Sequence, residues 1–340
     1  MDVTELVKQL KEKTPALVYL VLGTQQVLQE KALTAFLSLI PEEQQVMNVG
    51  RYDMEVTPVA SALDDAVSAP FFGERRLVII NKPYFLTNEK RGGKVDHDLS
   101  AVIKYLHHPE PTTTLVFLAP YEKLDGRKKL VKELKKVAVN VSAAPLDERS
   151  ARQRVEGQLR QAGFTIDDAA LELLVQRTNA DYGLMVANVA KLEILAYQDK
   201  HITAPMVQAL VPQSLDDNVF DLVTAVLRRD QPRSLELYQQ LLASQKQPLQ
   251  INAVLVSQFR LLIQLKVLVN HGLSQGSIAS KLNVHPYRVK LGLRTVRQFS
   301  LERLANAYLG LVKIEQNLKT TQRDPELLFQ LFMLQYARQR

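Results

Sequence analysis

Five short apolar runs alternate with helix-patterned stretches over the first 141 residues, and this alternation limits the fold more than any other feature. The runs are Leu17 to Leu22, Val46 to Val49, Leu77 to Ile80, Leu115 to Leu118 and Val137 to Val141. Between them, apolar residues recur at helical spacing, which predicts helices over 25–39, 98–106 and 127–136. Thr57-Pro58 reads as a further helix start, with Thr57 as cap and Val59, Leu63, Ala66 and Val67 as the buried stripe. Strands separated by helices imply a mostly parallel sheet covered on both faces. After Pro145 the strand signals stop. Asp147 reads as the cap of a helix at 148–162, followed by helices at 167–178 and 182–198. Thr165 to Asp168 resembles a capping box, and Thr203-Ala204-Pro205 opens a short further helix. From about Asp216 the chain is helical to its end, with breaks at Asp230 to Pro232, Gln247-Pro248, His271-Gly272, Val284 to Pro286 and Asp324-Pro325. Long amphipathic helices with short breaks predict a bundle. The expectation is an α/β domain at 1–145, a helical domain at 146–212 and a second helical domain at 213–340.

A strand, a glycine and a helix start invite comparison with a phosphate loop. Such a loop needs glycines that let successive N–H groups form a nest, a Lys for the outer phosphates and a hydroxyl for magnesium. The segment Gly23 to Lys31 has one glycine and no Gly-Lys-Ser/Thr ending. The third run passes into Asn81-Lys82-Pro83 with no carboxylate until Glu89, where a nucleotide hydrolase would place acidic residues. The layout is nucleotidase-like and its chemistry is missing.

The most distinctive local segment is Pro70-Phe71-Phe72-Gly73-Glu74-Arg75-Arg76. Pro70 and Gly73 make it a turn. Consecutive side chains of a tight turn rarely both reach the domain's own core, so at least one Phe faces water or a partner. Adjacent aromatics rimmed by charge fit a protein-binding hot spot.

The net charge of +7 is compatible with nucleic-acid contact. Charges in Arg127 to Lys136 surround Leu130, Val131 and Leu134 and read as a solvated helix face. After Pro286, Lys290, Arg294 and Arg297 form one basic stripe opposite Val289, Leu293 and Val296, which suggests DNA or phosphate contact. Ser277 to Val289 also resembles a helix-turn-helix, so a DNA-binding regulator using residues 277–297 is the rival reading.

Other chemistries find no support. There is no cysteine, hence no disulfide, thiolate metal site or cysteine nucleophile. The adjacent His107 and His108 do not share a helix face and read as a solvent-side helix end, so no metal site is expected. No catalytic constellation and no cofactor are expected. Met1 to Glu5 lacks the basic start of a signal peptide, and the apolar stretch Leu261 to Val269 is interrupted by Gln264 and Lys266, so neither secretion nor membrane insertion is expected.

Taken together, Val18 to Gly23, Pro70 to Val78, Leu115 to Pro120, Leu146-Asp147-Glu148 and His285 to Lys290 resemble the delta-subunit family of bacterial DNA polymerase III clamp loaders over essentially the whole chain. The resemblance implies a degenerate AAA+-type module at 1–145, a helical lid at 146–212 and an oligomerising helical collar at 213–340. It implies a cytoplasmic accessory subunit of a DNA-directed DNA polymerase, a nucleotidyltransferase, with no catalytic site of its own. Such a subunit binds and opens the ring-shaped sliding clamp so that the ATP-driven loader can place it on primed DNA. Its implied partners are the sliding clamp, other loader subunits through the collar, and primed DNA in the assembly. The residues implied at the clamp pocket are Phe71 and Phe72, supported by Pro70, Gly73, Arg75 and Arg76.

Overall fold

The computed structural model describes residues 1–71, 73–88, 95–212, 215–244 and 247–338, the side chains of 215–218 excepted. Phe72 and Glu89 of the sequence reading lie outside the described residues. The chain divides into two compact units, Met1–Leu146 and Asp147–Arg340.

The first unit opens with helix α1 (Val3–Glu12), which the sequence reading missed. Its signal is a capping box: Asp2 accepts from the Thr4 and Glu5 N–H groups, and Glu5 accepts from the Asp2 N–H. Then come β1 (Val18–Leu22), α2 (Gln26–Leu37), a 3₁₀ turn (Glu42–Gln44), the one-turn α3 (Gln45–Asn48), β2 (Val49–Asp53), α4 (Val59–Ala66) and β3 (Arg76–Asn81). A second 3₁₀ turn (Tyr84–Leu86), α5 (Leu99–His107), β4 (Thr113–Ala119), α6 (Lys129–Val137) and β5 (Val139–Ser142) complete the unit.

The strands pair in parallel in the order β2-β3-β4-β1-β5. The interior strands β3, β4 and β1 are buried on both faces, which is why they read as continuous apolar runs. On one face Leu20, Val78, Ile80, Leu115 and Phe117 form a core with α4, α5 and α6 residues such as Leu63, Val102 and Leu134. On the other, the Tyr19 ring meets Phe36 of α2 edge-on at 4.8 Å. Full burial of one such side chain contributes about 1.5–3 kcal/mol.

Several expectations need correction here. The second strand lies at Val49–Asp53, not at 46–49. It is a sheet edge with β3 as its neighbour and carries Gly50, Arg51 and Asp53, so no apolar run marks it. Val46 and Met47 sit on α3 and are exposed. Thr57 does not cap α4. Pro58 holds the cap position, and His97 Nδ1 accepts from the Val59 N–H at 3.1 Å. Val67 is exposed because α4 ends at Ala66.

The second unit begins with α7 (Glu148–Gln161), capped as expected by Asp147, which accepts from the Ser150 N–H. Strand signals do not stop at Pro145: β6 (Thr165–Ile166) pairs in parallel with β7 (His201–Ile202). Two-residue strands are too short to leave a periodicity. Around them lie α8 (Asp168–Arg177), α9 (Tyr182–Leu195) and α10 (Ala204–Leu210). Thr165 and Asp168 do not form the expected capping box: Thr165 lies in β6, and Asp167 holds the cap position of α8 with its carboxylate facing His201 Nε2 at 3.1 Å.

The remaining helices are α11 (Leu215–Arg228), α12 (Gln231–Ala243), α13 (Pro248–Asn270), α14 (Gln275–Leu282), α15 (Pro286–Gln298), α16 (Leu301–Thr320) and α17 (Pro325–Arg338). The break before α16 escaped the sequence reading; Ser300 caps that helix by accepting from the Arg303 N–H. By length and composition α13 would span a bilayer, contrary to the sequence reading. It packs in the bundle core, burying Ile251, Leu255, Phe259, Leu262 and Leu265, while Asn252 donates to the Leu311 carbonyl at 3.1 Å.

Candidate docking turn

The Pro70 to Arg76 turn is built by contacts that sequence spacing does not reveal. Asn48, the last residue of α3, is fully buried. Its Nδ2 donates to the Phe71 carbonyl at 2.7 Å, and its Oδ1 accepts from the Phe71 N–H at 2.6 Å. One amide thus satisfies both main-chain groups of Phe71, as a neighbouring strand would. The Phe71 side chain is left 53% exposed. Gly73 permits a close approach on the same side: a Cβ there would lie 2.5 Å from Gln44 Oε1.

The two arginines hold the turn's far end. Arg76 Nε donates to Asp65 Oδ1 at 2.7 Å, Nη2 bonds the same oxygen, and Nη1 reaches the Ala69 carbonyl at 3.3 Å. Asp65 also accepts from the Tyr52 hydroxyl; burial, followed by that bond, pushes the Tyr52 hydroxyl up to about 12. Arg75 Nη1 lies 3.4 Å from Thr114 Oγ1. Both side chains therefore have partners within their own unit.

The loop after β1 has a different character from a phosphate nest. Its Gly23 N–H donates to the Ala119 carbonyl and its Gln25 N–H to the Ala143 carbonyl. Gly23 sits at φ 145°, and a Cβ there would come within 2.0–2.2 Å of the Ala143-Ala144 backbone. At the same end of the sheet, Asp53 and Glu55 from the β2 side bring carboxylates that the sequence reading did not place there. Lys82 Nζ meets them at 2.7 and 2.9 Å. Burial alone would raise Asp53, but bonds from Lys82 and the Glu55 N–H outweigh it and hold the carboxyl below its usual range. The bonds to Asp53 and Glu55 raise Lys82 in turn.

His97 Nδ1 is the acceptor for Val59, so Nε2 carries the proton and donates to the Met54 carbonyl at 3.1 Å. Burial holds His97 below its ordinary value, in keeping with a neutral ring. His107 ends α5, with His108 as its C-cap. Among the described residues, no three His, Cys, Asp or Glu side chains gather as a metal site would require.

In the second unit, α14, Asn283 in left-handed conformation and α15 do form two helices joined by a tight turn. The His285-Pro286-Tyr287 segment is a helix start: His285 Nδ1 accepts from the Tyr287 N–H, and Tyr287 is buried. Val289, Leu293 and Val296 are buried as expected. Lys290, from the opposite stripe, meets the Glu148 carboxylate at 2.5 Å. Arg294 and Arg297 are exposed. The structure thus separates the three basic residues into one neutralised and two exposed.

Comparison with known proteins follows the same two blocks. A family model described as DNA polymerase III, delta subunit, matches residues 19–144, and a second, for the C-terminal domain of the DNA polymerase III delta subunit, matches residues 216–336. A DNA polymerase III subunit delta of Bacillus subtilis is 37% identical over 329 residues, covering 96% of this chain and 95% of the relative. A probable DNA polymerase III subunit delta of Aquifex aeolicus is 26% identical over 265 residues, covering 76% of this chain and 74% of the relative. The solved Bacillus subtilis DNA clamp loader delta protein superposes with a TM-score of 0.78 at 36% identity, covering 99% of this chain and 100% of that one.

Proposed function

Because the chain belongs to the DNA polymerase III delta-subunit family, we propose that its Phe71-Phe72 turn docks into the sliding clamp and opens it. The chain is a clamp loader subunit in DNA replication, and the proposal concerns how it acts there. The observation that carries the proposal is a half-exposed Phe71 whose main chain is gripped by a buried amide. Exposure leaves apolar area to bury, and the grip removes much of the ordering cost of binding. With Phe71 53% exposed, roughly 100 Å² remains to be covered, which at ~25 cal/mol/Å² gives about 2.5 kcal/mol.

Opening follows only if the docked chain prefers the open ring to the closed one, since a ligand shifts an equilibrium by its differential affinity. Pro70 and Gly73 shape the turn in this reading, while Arg75 and Arg76 act mainly as its anchors. The chain itself neither binds nor hydrolyses ATP in this account. Two features support that: the Gly23 and Gln25 N–H groups bond main-chain carbonyls, and Lys82 bridges the Asp53 and Glu55 carboxylates.

The same reading divides the second unit into a lid at 146–212 and a collar at 213–340 that meets other loader subunits in the cytoplasm. Primed DNA is contacted in the assembly through Arg294 and Arg297, with Lys290 tied to Glu148. A regulator reading bases from 277–297 loses support, because Lys290 of the basic stripe on α15 is paired with Glu148.

The test is equilibrium binding to the sliding clamp of the same organism. Phe71→Ala with Phe72→Ala is expected to weaken binding at least 30-fold, roughly the 2 kcal/mol of a hot-spot aromatic. Wild-type affinity in a folded double variant overturns the proposal.

A further inference from the structure

Three side-chain amides are buried among the described residues: Asn48, Asn252 and Gln258. Buried amides are normally hydrogen-bonded, because an unmet donor or acceptor costs free energy. Asn48 bonds Phe71, and Asn252 bonds the Leu311 carbonyl. Gln258 on α13 is only 7% exposed, yet its side chain has no hydrogen-bond partner among the described residues. It lines a cavity of about 270 Å³ that lies wholly within the second unit. Neither its amide oxygen nor its nitrogen is sealed off, so both open on this space. Leu262, one turn further along α13, and Leu291 of α15 form an apolar floor, and Phe220 of α11 stands beside them. Glu172 and Gln176, one turn apart on α8, line the opposite wall. Four charged side chains face the cavity: Glu172, Asp221, Arg288 and Arg294. Glu172 is paired with Arg152 at 2.6 Å, and Asp221 and Arg288 are engaged as well. Arg294 is exposed and has no partner among the described residues.

We infer that this cavity is a binding site for a small molecule with one amide-edged ring and one carboxylate or phosphate. A primary amide offers a donor and an acceptor side by side, so its complement is an adjacent acceptor and donor, as in a lactam or imide ring. Gln258 supplies that recognition from a buried position, where a hydrogen bond is not lost to competing water. The Arg294 guanidinium selects an anion, and carboxylate and phosphate both suit its fork of donors. Leu262, Leu291 and Phe220 receive the faces of the ring. Sites for drug-sized ligands begin near ~300 Å³, so this volume limits the ligand to one heterocycle and a short anionic arm. The inference stands on the second unit alone and is independent of the docking turn.

The test is calorimetric titration of the full chain with two probes, taken separately. Orotate is an imide ring with a carboxylate, and uridine 5′-monophosphate presents a similar ring with a phosphate arm. Saturable binding of at least one is expected; orotate alone identifies a carboxylate ligand, and the monophosphate alone a phosphate ligand. Gln258→Leu is expected to weaken that binding about tenfold and to leave the melting temperature equal or higher, because it removes an unmet buried amide. Arg294→Ala, at an exposed position, is expected to weaken it about tenfold at an unchanged melting temperature. Wild-type affinity in both variants places the probe elsewhere and overturns the inference. So does the failure of both probes to saturate at millimolar concentration. A Gln258→Leu chain that melts lower than wild type also overturns it, since the amide would then have a structural partner.

Discussion

Asn48→Ala is the perturbation that most sharply separates a positioned turn from a merely exposed one. The side chain makes two hydrogen bonds to Phe71, at 2.7 and 2.6 Å, from a fully buried site. Each neutral bond contributes about 1 kcal/mol net, so the pair accounts for roughly 1–3 kcal/mol. That loss has two places to appear. If the turn stays native-like, it shows as reduced stability. If the turn loosens, ordering Phe71 on binding costs about 1–2 kcal/mol, a 5- to 30-fold loss of clamp affinity. Hydrogen exchange at the Phe71 amide reports loss of the Asn48 Oδ1 acceptor in either case, and clamp affinity tells the two apart. Asn48→Asp adds a pH signature. The carboxylate keeps the acceptor but sets a second oxygen against the Phe71 carbonyl, and the protonated acid restores the donor. Its folded pKa is therefore raised, so the deficit relative to wild type is smallest in acid and grows as pH rises through that value. Wild-type amide protection, stability and clamp affinity in Asn48→Ala would refute the claim that this side chain sets the turn.

Other parts of the chain give two further predictions. His97 is held below its ordinary value by burial and acts as a neutral acceptor for Val59. Its contribution is full above the unfolded value of about 6.5 and is lost as pH falls through the lower folded value, so urea midpoints fall between pH 7.5 and 5 and His97→Gln flattens that dependence. Arg294→Ala with Arg297→Ala is expected to lower the salt dependence of primed-DNA binding by the assembled loader by about 2 in log-log slope. Lys290→Ala, freed only from Glu148, leaves the slope unchanged; an equal change in both variants contradicts the division of the stripe.

The interior of the sheet was legible because Leu77 to Ile80 and Leu115 to Leu118 are buried on both faces and must be apolar throughout. The edge strand β2 was not, since Gly50, Arg51 and Asp53 serve a strand with one neighbour. Capping by Asp147 is a local event and was readable, whereas His97 reaches Val59 across 38 positions. The candidate site divides in the same way. Pro70, Gly73 and the aromatic pair announce a turn by local chemistry. Asn48, 23 residues before Phe71, gives no sign in its own segment of what its amide does. The Lys290–Glu148 pair spans 142 positions, so spacing within α15 described its stripe correctly and missed its charge balance.

The most direct measurement is ring opening by this chain alone. A donor and acceptor are placed across one interface of the sliding clamp, and energy transfer is followed as the purified chain is added without nucleotide. The account predicts a saturable fall in transfer with the wild-type chain and none with Phe71→Ala, Phe72→Ala at the same concentrations. Opening that requires ATP on this chain, or equal opening by the double variant, would contradict it.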